Sequence, residues 1–308
     1  MSKSAAQSVT APRTTLLWVC LAVPGALWLL LLFAVPFYAM LAVAAGQINQ
    51  LFQTPIAVWD PIQWSSANLT VVWHDLVGTG AYLGPPLFRT FAYTLIATLL
   101  ALVIAYPVAY FVARFAGSRK ALFLALLIAP FWVSYMMRML AWINLLQTNG
   151  YVNRVLTFLH VVSQPVDWLG GLHTTVVLGL VYGYIPYLIL VLYAGFDRID
   201  GDLIEASRDL GLGRVRTFWH VTLRLSAPTV LAGVMITALP MAGDYYTNQL
   251  LSATPSTTEI GNEIESMLSL PGSSGQGATL ALILLALLAV PILFYVRSTA
   301  RAARERAI

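Results

Sequence analysis

The chain has 308 residues, 59% hydrophobic and 10% charged, where a soluble domain carries about 25% charged residues. That balance, with its repeated long apolar runs, excludes a soluble globular protein and points to a membrane. A net charge of +4 and a pI near 9.2 do not indicate a nucleic-acid partner, because the basic residues are scattered between apolar runs and form no stripe. One cysteine, Cys20, excludes a disulfide framework or a Cys/His metal site.

A helix needs roughly 20 apolar residues to cross the hydrocarbon core. Six stretches qualify, at 16–45, 87–113, 121–146, 174–196, 226–242 and 278–296. The fold expected is all-α and polytopic, with six transmembrane helices in a domain spanning 16–296. Residues 1–15 form an N-terminal tail and 297–308 a basic C-terminal tail. The first stretch follows Arg13 and is longer than the apolar core of a signal peptide, about 7–15 residues, so an uncleaved anchor is expected.

Charge sets the orientation. Lys3 and Arg13 precede the first stretch; Arg114, Arg119 and Lys120 separate the second from the third. Arg198, Arg208, Arg214, Arg216 and Arg224 separate the fourth from the fifth, and Arg297, Arg301, Arg304 and Arg306 follow the sixth. Fourteen of the 17 basic residues therefore share one side, which the positive-inside rule makes the cytoplasm, with both termini there. Asp60, Asp75, Asp167, Asp244, Glu259, Glu263 and Glu265 fall on the other side or at its edge. They read either as a solvated surface or as an acidic vestibule for a cationic solute.

Between the first two stretches, residues 47–86 hold Trp59, Trp64 and Trp73 among polar neighbours. That segment is too polar to span and is expected along the outer interface, where Trp is favoured. Pro36, Pro107, Pro130, Pro186 and Pro240 lie inside spans as packing kinks or as places where a gate bends. The third stretch carries Arg138, which either faces protein or water or snorkels to the outer surface. Trp132, Tyr135 and Trp142 flank it, with Tyr135, Met139 and Trp142 on one face. These aromatics are either a lipid belt or the lining of a passage that makes cation–π contacts with an amine.

Between the fourth and fifth stretches, 197–224 is polar and contains "EASRDLG". Asp202 with Glu205 fits an N-cap and its partner three residues on. Asp200, Asp202 and Glu205 suit the positive end of a helix dipole. Leu203, Ala206 and Leu210 share one face, and Gly211 with Gly213 supply a left-handed stop. A second short helix is expected from Arg214. An amphipathic loop on lipid headgroups would be basic; this acidic, small-residue helix better suits a groove in another protein.

This loop resembles the coupling loop of ABC importer permeases, with the pattern Glu-Ala-Ala, three residues, Gly, nine residues, Ile-x-Leu-Pro. Glu205, Ala206, Gly211 and Leu223 match; Ser207 stands for the second Ala, Val221 for the Ile and Arg224 for the Pro. "RTFAYTLIATLLALVIAYPVAYFVAR", "APFWVSYMMRMLAW", "GYVN", "AGDYYTNQLL" and "IGNEI" are similar to the spermidine/putrescine branch of that family. In those relatives "GDYYT" is followed by Pro and later Gly-Gly, where this chain has Asn248 and Ser252-Ala253. The resemblance implies a type I importer permease, half of a pore for a solute that is a polyamine or another small molecule.

It further implies a second six-span permease, identical or homologous. Two ATPase subunits would hold ATP and magnesium, an extracytoplasmic solute-binding protein would deliver the solute, and lipid would surround the whole. Leu203, Glu205, Ala206, Ser207, Asp209, Leu210 and Gly211 would form the ATPase-coupling site. Trp132, Tyr135, Arg138, Trp142, Asp244, Tyr245, Tyr246 and Asn248 would lie on the translocation pathway, with Asp244 either on the solute's route or bracing the end of the fifth span.

Two rivals remain. Lys3 and Lys120 are the only lysines and neither follows a Gly, so no phosphate-cradling Gly-Lys-Ser/Thr loop exists and any ATP must be hydrolysed by a partner. An ion-coupled carrier usually has carboxylates within its spans, and the first four stretches contain none. A membrane enzyme would need clustered acid–base groups, whereas His74, His160, His173 and His220 are isolated. No catalytic residue and no cofactor of its own are expected in this chain.

Overall fold

A computed structural model describes residues 13–49, 51–52 and 54–305. Most of the N-terminal tail, including Lys3, and the end of the basic C-terminal tail, with Arg306, lie outside the described residues. In hydrocarbon every backbone N–H and C=O must find a partner within its own segment, so the apolar runs fold as helices. In chain order these are α1 (Arg13–Ala44), a small antiparallel hairpin of β1 (Gln47–Ile48) and β2 (Pro55–Ile56), α2 (Ala67–Val77), α3 (Gly84–Phe115), α4 (Lys120–Ile128) and α5 (Tyr135–Leu146). They continue as α6 (Tyr151–Phe158), α7 (His173–Asp197), α8 (Gly201–Asp209), α9 (Arg214–Thr217), α10 (Leu223–Ala242), α11 (Tyr246–Leu251), α12 (Ile260–Ser269) and α13 (Ser274–Glu305).

Among the described residues five helices are long and apolar enough to cross a membrane, and six spans result when one bent pair counts as one. That pair corrects the expectation of a continuous third helix. The chain runs through 117–132, breaks, and resumes at Tyr135 with an 86° bend. Pro130 sits in the 3-10 turn Ala129–Trp132 that ends the first half. Its missing N–H and its clash with the preceding turn stop the α-helix there. The fifth span also differs from expectation: it starts at Arg214 and runs as one helix of 29 residues to Ala242.

The core is built on α3 and α7, which run parallel. Ala97, Ala101, Ala105 and Ala109 repeat every four residues and are fully buried. Small side chains at this spacing let two membrane helices approach closely. Opposite them lie Leu180, Leu188, Ile189, Leu192 and Phe196 of α7. α10 packs antiparallel on the same pair, with Thr98 Oγ1 3.5 Å from Met241 Sδ at one end and the Tyr106 hydroxyl 2.9 Å from Ser226 Oγ at the other.

A second cluster joins α2, α12 and α13 through Val72, Leu76, Leu83, Ile260, Met267, Leu280 and Leu284. α1 packs mainly on α13, and its outward residues, such as Trp28 and Phe33, are exposed. Exposed apolar side chains of this kind are suited to lipid. Trp59 and Trp64, just beyond the end of α1, pack at a tilt against Tyr38, each with ring centroids 6.1 Å apart, and Trp73 is exposed on α2.

Candidate functional site

Two sites stand out, one at each end of α10. The first is α8. Its N-cap is Asp200, whose carboxylate accepts the Asp202 N–H at 3.1 Å. This corrects the expected cap at Asp202, which instead lies in the first turn. The helix ends with the Gly211 N–H on the Arg208 carbonyl and the Leu212 N–H on the Ser207 carbonyl, the pattern of a Schellman stop. Gly211 holds φ +87°. Gly213 does not share that role: it is extended, at φ −64°, and caps α9.

Leu203, Ala206 and Leu210, the expected apolar stripe of α8, all lie on its exposed side. Ile204 and Ser207 point inward. Leu203, Glu205, Ala206, Asp209 and Leu210 are exposed. Leu210 is 84% exposed, so an apolar side chain is offered to whatever lies beyond the chain. The segment is fastened to the bundle by Arg114, which donates to the Ile199 carbonyl at 2.6 Å, and by an ion pair of Lys120 with Asp197 at 2.6 Å. Leu203 and Asp200 border a cleft of about 650 Å³ whose other walls include Gly195 on α7 and Thr229 on α10.

The second site lies just past the other end of α10. Asp244 is 7% exposed. One carboxylate oxygen accepts the Tyr135 hydroxyl at 2.9 Å, the Tyr184 hydroxyl at 3.2 Å and Thr247 Oγ1 at 2.7 Å. The other accepts the Thr247 backbone N–H at 3.1 Å. Tyr135 also contacts Thr247 Oγ1. Beside this carboxylate is a cavity of about 290 Å³, lined by Arg138, Tyr184, Tyr187, Tyr245 and Tyr246 among others. Tyr245 and Tyr246 stack at 4.1 Å. Arg138 is buried, its guanidinium over the Phe131 ring at 4.1 Å, so it faces protein and cavity and does not snorkel.

The structure thus brings Tyr135, Arg138, Asp244, Tyr245 and Tyr246 together. Three other expected pathway residues stand apart. Trp132 is 87% exposed on the helix break. Trp142 packs edge-on against Tyr182 at 5.2 Å, within the cluster around Met139. Asn248 is buried and donates its side-chain amide to the Thr257 carbonyl, bracing the 252–257 turn. Tyr184 and Tyr187, with Gly183 against Tyr135, were not anticipated. Their signal is "YGYIPY", three tyrosines in the middle of an apolar span.

Nearby, Glu259 is 1% exposed and forms a capping box with Asn262 at the start of α12. Burial first, and then the Asp244 carboxylate, push its pKa up to about 9, against the charge of Arg89. No cluster of three or more His, Cys, Asp or Glu suited to a metal occurs among the described residues.

Comparison with known proteins accords with this geometry. The family model for the binding-protein-dependent transport system inner membrane component matches residues 79–304. The spermidine/putrescine transport system permease protein PotB of Escherichia coli is 34% identical over 146 residues, covering 47% of this chain and 52% of that protein. PotB of Haemophilus influenzae is 31% identical over 179 residues, 58% of this chain and 62% of its own length. The chain therefore spans about half the length of the first of these relatives and somewhat more of the second. A bacterial alginate ABC transporter, crystallised with an alginate pentasaccharide-bound periplasmic protein, shares the fold at a TM-score of 0.71 and 15% identity, over 94% of this chain and 96% of that one. With well over half of its length matched by the family model, the chain belongs to the inner membrane components of binding-protein-dependent transport systems.

Proposed function

We propose that this chain is the membrane-spanning subunit of an ATP-driven importer and forms half of a translocation pore for polyamines. The observation that carries this reading is the buried Asp244 carboxylate in a tyrosine-lined cavity, at one end of the helix whose other end meets α8. A carboxylate attracts an ammonium, and ring faces hold it for about 0.5–2 kcal/mol each. A conduit needs weak sites that release. The PotB relatives are spermidine/putrescine permeases by name, which favours the same class of solute here.

On this reading both termini and α8 are cytoplasmic. α8, with Leu203, Glu205, Ala206, Asp209 and Leu210 outward, docks in one of two separate ATPase subunits that hold ATP and magnesium. Ser207 and Gly211 shape and aim it. A second permease, a copy or a homologue, completes the pore, and an extracytoplasmic binding protein delivers the solute. The chain itself makes and breaks no covalent bond. Alternating access follows when ATP-driven closure of the partners moves α8 and rocks α10.

Reconstitution with a candidate ATPase and a candidate solute-binding protein tests this. Spermidine or putrescine uptake should follow ATP and survive collapse of the proton gradient by an ionophore. Solute accumulation by this chain alone, or a binding protein that prefers a sugar or an anion, would refute the respective halves of the proposal.

A further inference from the structure

Arg138 is an odd neighbour for a cationic solute. Its guanidinium is permanently charged, yet it is 8% exposed and borders the cavity. No carboxylate pairs with it: the ion pairs among the described residues are His74–Asp75 and Lys120–Asp197. Its Nε and Nη1 have no hydrogen-bond partner. What surrounds it is aromatic, with Phe131, Tyr135 and Tyr182 at 4.1, 5.3 and 5.9 Å from the guanidinium carbon. Several ring faces around one cation form the kind of cage that binds ammonium ligands.

Tyr135 joins this cage to the carboxylate. Its ring lies under Arg138 while its hydroxyl donates to Asp244. The aromatic cage and the acid are therefore two parts of one cation site, and the side chain in the cage is the protein's own. We propose that Arg138 is the tethered resident of this site, displaced by a cargo ammonium during passage and returning when the cargo leaves. This rests on the polyamine reading and deepens it.

Two consequences follow. A resident competitor at high local concentration keeps cargo affinity low, since a tethered group is always present at its own site, and a low affinity is what release requires. A neutral solute has no charge with which to replace the guanidinium over the rings, so Arg138 also acts as a selectivity element for cations.

The test uses the full-length chain in lipid nanodiscs, with spermidine and the free guanidinium ion as probes. Arg138→Ala should bind spermidine about tenfold more tightly than the wild type. Millimolar guanidinium should compete with spermidine in Arg138→Ala and raise its thermal unfolding midpoint, with neither effect in the wild type. Asp244→Asn on top of Arg138→Ala should abolish the gain in spermidine binding. Guanidinium also refills the cavity of a purely structural arginine, so the deciding readouts are the tighter spermidine binding of the variant and its competition by guanidinium. If Arg138→Ala does not fold, Arg138→Met keeps the stem volume and carries the same expectations for spermidine. Unchanged or weaker spermidine binding in the variant, with no guanidinium effect, overturns the proposal and leaves the cargo reading standing. Absence of spermidine binding in both proteins sinks the polyamine cargo and with it the displacement of Arg138, whatever guanidinium does.

Discussion

Ser207 Oγ on α8 lies 3.2 Å from Thr217 Oγ1 on α9, and both hydroxyls are buried. The Ser207 hydroxyl, within reach of the Ile204 carbonyl as well, has one proton to give to either, and Thr217 donates to the Leu212 carbonyl. This contact ties the exposed helix to the foot of the 29-residue helical run that begins at Arg214. A π-helical turn at Phe218–Thr222 interrupts the regular ladder and places the Phe218 ring edge-on to Tyr106 at 5.9 Å. α8 is thereby joined to a helical run whose far end is followed by Gly243 and Asp244.

The Schellman stop of α8 depends on Gly211. A Cβ there would meet no atom within 4 Å, so substitution strains only the backbone, at φ +87°. That strain is about 1 kcal/mol for an ordinary residue and greater for a β-branched one. Gly211→Asn, which tolerates the left-handed region, should retain uptake. Gly211→Val should lose it while membrane insertion is unchanged. Uptake and solute-stimulated ATPase activity of the reconstituted complex measure both, and equal activity of the two variants would remove the coupling role.

Asp244 both faces the cavity and organises its walls, so charge and bracing need separate variants. In Asp244→Asn one oxygen can still accept from the Thr247 N–H, and the new amide can donate to the tyrosine hydroxyls, whose protons rotate. Assembly and basal ATPase activity should persist while amine uptake falls by about tenfold or more. Asp244→Ala leaves the buried Thr247 hydroxyl and the half-buried Tyr135 and Tyr184 hydroxyls without this acceptor, at about 1–3 kcal/mol for a buried one left unsatisfied, and should lower the thermal unfolding midpoint as well. Normal spermidine uptake by Asp244→Asn would confine the residue to bracing.

Gly183 sets the position of Tyr135. A Cβ on Gly183 would fall 2.9 Å from the ring and 3.0 Å from the hydroxyl oxygen. Gly183→Ala should push the ring aside and break its bond to Asp244, so it should reproduce the transport loss of Tyr135→Phe. In a double-mutant cycle the two losses should be non-additive, because both act through one hydrogen bond. Full additivity in uptake rates would show that Gly183 matters only for helix packing.

Glu259 confers a pH dependence of definite sign. Its pKa is pushed up to about 9 by burial and by the Asp244 carboxylate, from 4.5 in the free side chain. Between those values the folded protein holds a proton that the unfolded chain has released. Stability therefore falls as pH rises through this window, by at most about 1.4 kcal/mol per pH unit. The thermal unfolding midpoint in detergent should drop from about pH 5 to about pH 9, and Glu259→Gln should flatten the decline. A wild-type midpoint that rises over the same range would contradict the buried, protonated state.

Long apolar runs and the "EASRDLG" spacing were enough to determine the helical class, the approximate spans and the segment that becomes α8. These depend on local composition and on the energetic exclusion of open backbone from lipid, which act residue by residue. Only the tertiary structure decided how the third span breaks at Pro130, because a proline can kink, break or merely decorate a membrane helix according to its neighbours. It alone moved the cap from Asp202 to Asp200 and turned Ser207 inward onto Thr217. It alone sorted the aromatics. Trp132 and Tyr135 are three residues apart, yet the bend sends one to the exposed surface and the other to Asp244, 109 residues away in sequence. Which side chains meet across a membrane bundle is set by the rotation and bend of each helix against its neighbours, and that is a property of packed pairs, absent from any single stretch of chain.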